Sequence, residues 1–148
     1  MTAIPNDGLP GSAFPTYRIR QARPEDAAAW ERMRCDLWPD GCEDHAPEIA
    51  AFFAGTLLEP EAVLVVEDAV GRLLAVAELS IRTDLLSYLG RRMGYVEGLY
   101  IIPEFRGHGI ARSLLLASRK WARQQGCTGF ASDRADRIII DRSYERRA

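Results

Sequence analysis

The stretch EFRGHGIARSLLLASRKWARQQG, residues 104–126, predicts the central feature of the fold. Its apolar residues recur at helical spacing, which predicts a helix that begins at Gly109 and ends before Gly126. Gly107 and Gly109 stand where Ser, Thr, Asp or Asn would normally cap the helix. Because glycine lets another group approach the backbone, and a helix start attracts anions, this stretch predicts a phosphate or diphosphate site.

Two familiar phosphate motifs are excluded at this site. The pattern GxxxxGK[ST] is absent, and Arg112 stands where the third glycine of GxGxxG would be. Arg106 lies before the glycines and can add charge-assisted hydrogen bonds to a phosphate. The alternative interpretation is that the two glycines only form a tight turn.

The elements around this helix predict an α/β or α+β sandwich with a mixed sheet, in the order β-α-α-β-β-β-α-β-α. Residues 1–16 are interpreted as a flexible arm and residues 17–148 as a single domain. The predicted strands are 17–21, the two strands of a hairpin over 62–82 that turns at 68–71, 94–102 and 129–133. The predicted helices are 23–38, 48–59, 109–125 and 134–148, with an acidic loop at 40–47.

Composition excludes several classes of function. The 148 residues carry a net charge of −2, which gives no basic excess for binding nucleic acid. No apolar run reaches the roughly 18 residues of a membrane helix, and no secretion signal precedes the domain. The three cysteines are an odd number, which favours reduced thiols in the cytoplasm.

A metal site is not expected from the sequence. Cys35 and Cys42 are too far apart for a CxxC pair, and Cys127 is remote. His45 and His108 are the only histidines, and both are interpreted as exposed loop residues.

The stretch Arg106-Gly107-His108-Gly109-Ile110-Ala111 resembles the (Arg/Gln)-x-x-Gly-x-(Gly/Ala) signature of the GNAT acetyltransferase superfamily. Further segments resemble the aminoglycoside 6′-N-acetyltransferases within it. These segments are DLWP at 36–39, AELSIRTD at 77–84, EGLYIIPEFR at 97–106 and ASD at 131–133. The resemblance covers roughly residues 17–133 and implies a GNAT-type fold.

The resemblance implies acetyl-CoA as co-substrate. The diphosphate would bind the start of the helix, through Arg106, Gly107, His108, Gly109, Ile110, Ala111 and Arg112. The pantetheine arm would pair with Leu99, Tyr100 and Ile101 like an added strand, and a backbone N–H of Leu99 or Tyr100 would polarise the thioester carbonyl.

The acceptor amine must lose a proton before it attacks the thioester. The resemblance implies that Glu97 and Asp133 hold the amine, with Asp133 as the candidate base, and that Trp38 packs on the sugar. The alternatives are that Glu97 only forms an ion pair with a neighbouring strand, that Asp133 caps a helix, and that Trp38 is a core or hinge residue.

The C-terminal end departs from the family pattern. Ile138 stands where the subfamily has an Asn that helps to hold coenzyme A. The residues from Ser143 to Ala148 look like the start of the superfamily element LYER-x-GF, so the final strand is expected to be missing. Tyr144 is then the candidate general acid for the departing thiolate. A truncated reading frame, a partner that completes the sheet edge, and a fragment of a longer chain all remain as explanations.

The sequence thus predicts a cytoplasmic enzyme that acetylates the 6′-amine of aminoglycosides and confers resistance. The family and the missing strand suggest a homodimer. Two alternatives remain: an N-acetyltransferase for another small amine, a polyamine or a protein amine, and a non-catalytic protein that binds acyl-CoA.

Overall fold

A single five-stranded mixed sheet organises the residues that the computed structural model describes, 16–132. Its strands are β1 (Tyr17–Gln21), β2 (Ala62–Asp68), β3 (Leu73–Arg82), β4 (Met93–Ile101) and β5 (Gly129–Ser132), which lie side by side in that order. β1 to β4 pair antiparallel, and β5 pairs parallel to β4. The α-helices within residues 16–132 are α1 (Ala27–Leu37), α2 (Cys42–Ala54) and α3 (Ile110–Gln124). The predicted mixed sandwich is confirmed, while the helix predicted at 134–148 and most of the predicted arm lie outside the described residues.

The two faces of the sheet follow from the alternation of side chains along its strands. Val63 and Val65 of β2 pack against α1 and α2 in one apolar cluster, together with Trp30 and Ile49. Leu64 and Val66 point to the opposite face, where the cluster includes residues of α3. Helices therefore cover both faces, which explains why β2 and β3 are apolar almost throughout. Within residues 16–132, no helix has the length and apolar character that crossing a membrane requires.

The C-terminal half of β4, from Glu97 to Ile101, is its outer half and forms one wall of the candidate active site. The pairing of β4 with β5 runs from Met93 opposite Gly129 to Val96 opposite Ser132. On the other side, Gly98 lies opposite Glu78 and Val96 lies opposite Leu79, so Glu97 is the extra residue of a β-bulge. The bulge bends β4 at the point where its pairing with β5 ends within the described residues.

The boundaries of α2 correct the prediction. Residues 40–47 do not form an acidic loop, because α2 already begins at Cys42 and includes Pro47. Glu43 and Asp44 lie in its first turn, where carboxylates favour the helix dipole. The helix ends at Ala54 rather than near residue 59, because Gly55 takes a left-handed conformation with φ of 77°. Pro47, which was predicted to end the loop, lies inside the helix.

Candidate active site

A cleft of about 890 Å³ opens between the C-terminal end of α1, the outer half of β4 and the start of α3. Nine of the residues predicted to bind coenzyme line it: Leu99, Tyr100, Ile101, Arg106, Gly107, Gly109, Ile110, Ala111 and Arg112. Trp38 and Glu97, predicted to bind the acceptor, line the same cleft. His108 belongs to the loop but is not among the lining residues, and its ring lies 6.4 Å from that of Phe105.

The start of α3 presents backbone donors to the cleft. Gly107 and Gly109 have φ angles of 83° and 84°, in the left-handed region that favours glycine. The N–H of Ser113 donates to the carbonyl of Gly109 at 3.1 Å, which is the first hydrogen bond of the helix. The backbone N–H groups of Ile110, Ala111 and Arg112 come before this first bond, so they have no acceptor within the helix. A Cβ at either glycine would meet no atom within 4 Å, so the space beside this turn is open.

The outer half of β4 offers backbone groups to the same cleft. The N–H of Ile102 donates to Leu74 of β3 at 2.9 Å, which sets the alternation of the antiparallel pairing. Because the direction of the N–H alternates along a strand, Tyr100, two residues before Ile102, also directs its N–H to β3. Leu99 and Ile101 direct theirs to the opposite side, where the cleft lies. This places the Leu99 amide, rather than that of Tyr100, where an added strand would pair.

Arg106 is attached to the wall of the cleft by contacts with β4. Its Nε donates to the carbonyl of Ile101 at 2.8 Å, and its guanidinium lies 5.2 Å from the ring centroid of Tyr100. The Tyr100 hydroxyl donates in turn to Asp36 Oδ2 at 2.8 Å, which joins β4 to α1. Burial raises the pKa of Tyr100, and the bond to Asp36 adds to this effect. Arg106 is thereby held beside the glycines that begin α3.

Trp38 directly follows α1, and the residue is 37% exposed. Its ring lies 5.4 Å from the guanidinium carbon of Arg34. Its carbonyl accepts a hydrogen bond from His45 Nε2 at 3.0 Å. The prediction that His45 is an exposed loop residue is wrong. His45 lies on α2 and is buried where the chain turns from α1 to α2.

Arg34 is itself held in a buried network of hydrogen bonds. Its Nε and Nη2 donate to the two carboxylate oxygens of Glu78 at 2.7 and 2.8 Å, and its Nη1 donates to Glu48. Trp30 Nε1 also donates to Glu78, at 2.8 Å. The network joins α1, α2 and β3 beneath Trp38.

Glu97 projects from the bulge of β4 and is paired with Arg82 of β3. Arg82 Nε donates to Oε2 at 2.9 Å, and Nη2 donates to Oε1 at 3.1 Å. Burial raises the pKa of Glu97 above its usual range, and nearby Glu59 adds to this, while Arg82 opposes it. The ion pair considered as the alternative for Glu97 is thus present, in a carboxylate that also lines the cleft.

Two of the predicted catalytic residues, Asp133 and Tyr144, lie outside the described residues, as does Ile138. Ser132, which immediately precedes Asp133, ends β5 and lines the cleft. The sequence analysis missed this residue and several other lining residues, namely Asp36, Leu37, Val96, Gly98, Phe105 and Leu115. Asp36 and Leu37 belong to the quoted DLWP segment, which was the available signal.

The structure also brings together three side chains that could hold a metal ion. Cys35, Cys42 and His45 each offer a ligand atom, and these atoms all lie within 4.8 Å of one another. This cluster lies at the corner between α1 and α2, outside the lining of the cleft. The expectation that no metal site exists rested on spacing along the chain, which does not exclude this cluster.

The mixed sheet, the cleft beside β4 and the glycine turn that begins α3 define the class of acetyltransferases. Residues 27–147 match the acetyltransferase (GNAT) family, and the chain belongs to that family. It is 42% identical over 116 residues to an aminoglycoside N(6')-acetyltransferase type 1 of Klebsiella aerogenes. The aligned region covers 78% of this chain and 76% of that protein.

Solved structures show the same architecture. One is AAC(6')-Iy in complex with the bisubstrate analogue CoA-S-monomethyl-acetylneamine, which is 26% identical, with a TM-score of 0.69 and 80% of each chain covered. Another is aminoglycoside 6'-N-acetyltransferase AAC(6')-Ih of Acinetobacter baumannii, which is 29% identical, with a TM-score of 0.70 and 80% of each chain covered.

Proposed function

We propose that this enzyme transfers the acetyl group of acetyl-CoA to the 6′-amine of aminoglycosides and thereby confers resistance to them. The observation that carries the proposal is that one cleft contains both the glycine turn of α3 and the residues Trp38 and Glu97. A relative that is 42% identical over most of both chains acts, by its name, at this amine. We further propose that the enzyme acts in the cytoplasm as a homodimer.

In this proposal the coenzyme end of the cleft is cationic. The amides of Ile110, Ala111 and Arg112 would bind the diphosphate, and Arg106 would add charge-assisted hydrogen bonds. The predicted contact of His108 with the diphosphate would depend on a movement of its ring toward the cleft. The pantetheine arm would pair with the edge of β4 at Leu99 and Ile101, which faces the cleft, as an added strand pairs with a sheet. The Leu99 N–H would then donate to the thioester oxygen, where negative charge develops during attack.

The acceptor end carries carboxylates instead. Glu97 would attract the cationic amines of the sugar, and its burial in part of the cleft strengthens that attraction. Asp133 would take the proton that the amine must lose, and Trp38 would pack on the sugar ring. The neutral amine would attack the thioester carbon, and the coenzyme thiolate would leave with a proton from Tyr144. The opposite charges at the two ends would orient a polyanionic co-substrate and a polycationic acceptor in one direction.

A panel of amines tests this proposal with the full chain. Thiol release from acetyl-CoA would be measured with two aminoglycosides that differ only in a 6′-amino or 6′-hydroxyl group, with a polyamine and with a peptide that has a free N-terminus. We expect turnover only with the 6′-amine. Equal turnover with the 6′-hydroxyl compound, or faster turnover with the polyamine or peptide, would assign the enzyme to another acceptor. Binding of acetyl-CoA without any turnover would indicate the non-catalytic alternative.

The role of Asp133 is tested by one conservative substitution. Asp133→Asn is expected to lower kcat by at least about 100-fold, which is typical of the loss of a general base, while the Kd for acetyl-CoA stays nearly unchanged. Calorimetry would provide the Kd, and thiol release would provide kcat. A parallel loss of coenzyme affinity would contradict the assigned role.

A further inference from the structure

We propose that Cys35, Cys42 and His45 form a binding site for one thiophilic divalent metal ion, of the class of Zn²⁺ and Cd²⁺. The site lies at the corner between α1 and α2. It does not depend on the proposed acetyl transfer, because none of its ligands lines the cleft.

The placement of the three residues suits coordination by a single ion. Cys35 lies on α1, Cys42 begins α2, and His45 follows one turn later on the same face of α2. Their ligand atoms lie within 4.8 Å of one another. In a tetrahedral zinc site two sulfurs, each about 2.3 Å from the ion, lie about 3.8 Å apart. Closure of the present cluster therefore needs side-chain movements of only about 1 Å.

The hydrogen bonds of His45 already select a tautomer that can bind metal. The Trp38 carbonyl can only accept, so His45 Nε2 carries the proton and donates to it at 3.0 Å. Histidine ligands commonly donate their other ring N–H to a carbonyl or carboxylate in this way. The Nδ1 atom therefore carries the lone pair, which accepts a bond from Arg34 Nη1 at 3.3 Å. This is the longest of the hydrogen bonds that Arg34 makes here, and Glu78 and Glu48 would keep Arg34 in place without it.

Charge and access also favour a divalent ion. Two thiolates would balance its charge, and the neighbouring charge of Arg34 is already balanced by Glu78 and Glu48. Both thiols are only partly buried, so an ion can reach them. Cysteine binds such an ion as a thiolate, so binding is expected to release the thiol protons.

Cadmium provides a direct probe of the site in the full chain. The protein would be reduced with a phosphine, separated from it and titrated with Cd²⁺ in the absence of coenzyme A, whose thiol would compete. Sulfur-to-cadmium charge-transfer absorption reports thiolate ligands, native mass spectrometry gives the stoichiometry, and a chromophoric chelator gives the Kd. Proton release would be measured in a weakly buffered solution. We expect one Cd²⁺ per chain, with charge-transfer absorption and proton release.

Three cysteine variants separate this site from adventitious binding. Cys35→Ser and Cys42→Ser are each expected to weaken Cd²⁺ binding by at least about 100-fold and to remove part of the absorption band. Cys127→Ser is the matched control, since Cys127 packs in the other apolar cluster against α3, and its Kd is expected to equal that of the unchanged chain. His45→Gln tests the third ligand with an expected loss of about tenfold or more, after circular dichroism has shown that it folds.

Two results would overturn the proposal. One is binding that Cys35→Ser leaves unchanged or that Cys127→Ser weakens equally. The other is a reduced protein with both thiols free that takes up no Cd²⁺. This outcome counts equally if the chain was purified with a Cys35–Cys42 disulfide and then reduced.

Discussion

The indole ring of Trp38 lies directly against the backbone of Gly98. A Cβ built on Gly98 would come within 2.5 Å of Trp38 Cη2 and 2.8 Å of Cζ2, distances that no real Cβ tolerates. The neighbouring Leu37 side chain is also close, at 3.1 Å. The glycine that follows Glu97 on β4 is therefore what lets the end of α1 approach the sheet. Trp38 can therefore line the same cleft as Glu97.

Substitution of this glycine should move the tryptophan. Gly98→Ala is expected to raise KM for the aminoglycoside about tenfold while KM for acetyl-CoA changes little, because the displaced ring would lose the packing on the sugar that we propose for it. Overpacking should also lower the free energy of unfolding by about 1–3 kcal/mol. Steady-state kinetics with each substrate varied in turn would measure the split.

Gly41→Ala is the matched control for this change. It lies at the same corner, but its Cβ would meet only His45 Cε1, at an ordinary distance of 3.8 Å. Its kinetic constants are expected to match those of the unchanged enzyme. An equal rise in both KM values for Gly98→Ala would show that the contact with Trp38 is not specific to the acceptor.

The turn that begins α3 permits a test that separates strain from ligand binding. Gly109 and Gly126 lie at opposite ends of α3 and have nearly equal φ angles, 84° and 80°. Alanine at either position should cost about 1–2 kcal/mol of stability, because both adopt the left-handed conformation. Only Gly109→Ala is expected to weaken acetyl-CoA binding, by about tenfold, since its Cβ would enter the space beside the exposed amides.

Isothermal calorimetry of both variants with acetyl-CoA would check this expectation, and thermal unfolding would confirm that the two are equally strained. If Gly126→Ala lost the same affinity as Gly109→Ala, the loss would reflect general destabilisation. The start of α3 would then not be the diphosphate site.

The buried pair of Arg34 and Glu78 should control the stability of the α1–α2 corner. Glu78 is 2% exposed and receives three hydrogen bonds, from Trp30 and Arg34. Glu78→Gln is expected to lower the free energy of unfolding by about 3 kcal/mol, because it leaves the buried guanidinium without its main counter-charge. Urea denaturation monitored by tryptophan fluorescence would measure the change.

Glu104→Gln is a suitable comparison, because Glu104 pairs with Arg72 at 2.7 Å on the surface, where both side chains are more than half exposed. That pair is expected to contribute less than about 1 kcal/mol. If both substitutions lowered the free energy of unfolding equally, the buried pair of Arg34 and Glu78 would contribute no more to stability than the exposed pair.

The sequence predicted the part of the site that depends on local backbone chemistry. The glycines before α3 indicate a helix start whose backbone another group can approach, without knowledge of any distant contact. The structure has open space beside both glycines. The apolar run over 94–102 likewise predicts a strand, which is β4. The family resemblance then connected these segments to Trp38 and Glu97, which spacing along the chain could not have joined to them.

The features that were missed depend on contacts between distant elements. His45 is buried because α2 begins at Cys42, before Pro47. Proline normally disfavours a helix interior, so nothing in the sequence indicated that the helix begins before it. Cys35 and Cys42 meet only because the chain turns sharply at Trp38 between two helices. Glu97, which pairs with Arg82, is the extra residue of the bulge in β4, which shifts the register by one residue. The alternation of polar and apolar residues along the sequence does not indicate this bulge.

The pH dependence of the reaction should report the contact between Arg82 and Glu97. If ionised Glu97 holds the cationic amine, kcat/KM for the aminoglycoside falls as the pH drops through the pKa of Glu97. That pKa is already raised by burial, while Arg82 acts to lower it. Arg82→Gln removes the lowering influence and leaves Glu59 nearby, so the acid limb of the profile is expected to move to higher pH. Arg82→Lys keeps a positive charge and should move it less.

Profiles of kcat/KM against pH for the three enzymes, and for Glu97→Gln, would check this sign. Glu97→Gln should lose the acid limb that belongs to this carboxyl and have a lower kcat/KM at neutral pH. The profile against acetyl-CoA serves as an internal control, because the coenzyme end of the cleft does not contain this pair. An acid limb that stays in place in Arg82→Gln, or moves to lower pH, would mean that a group other than Glu97 binds the amine.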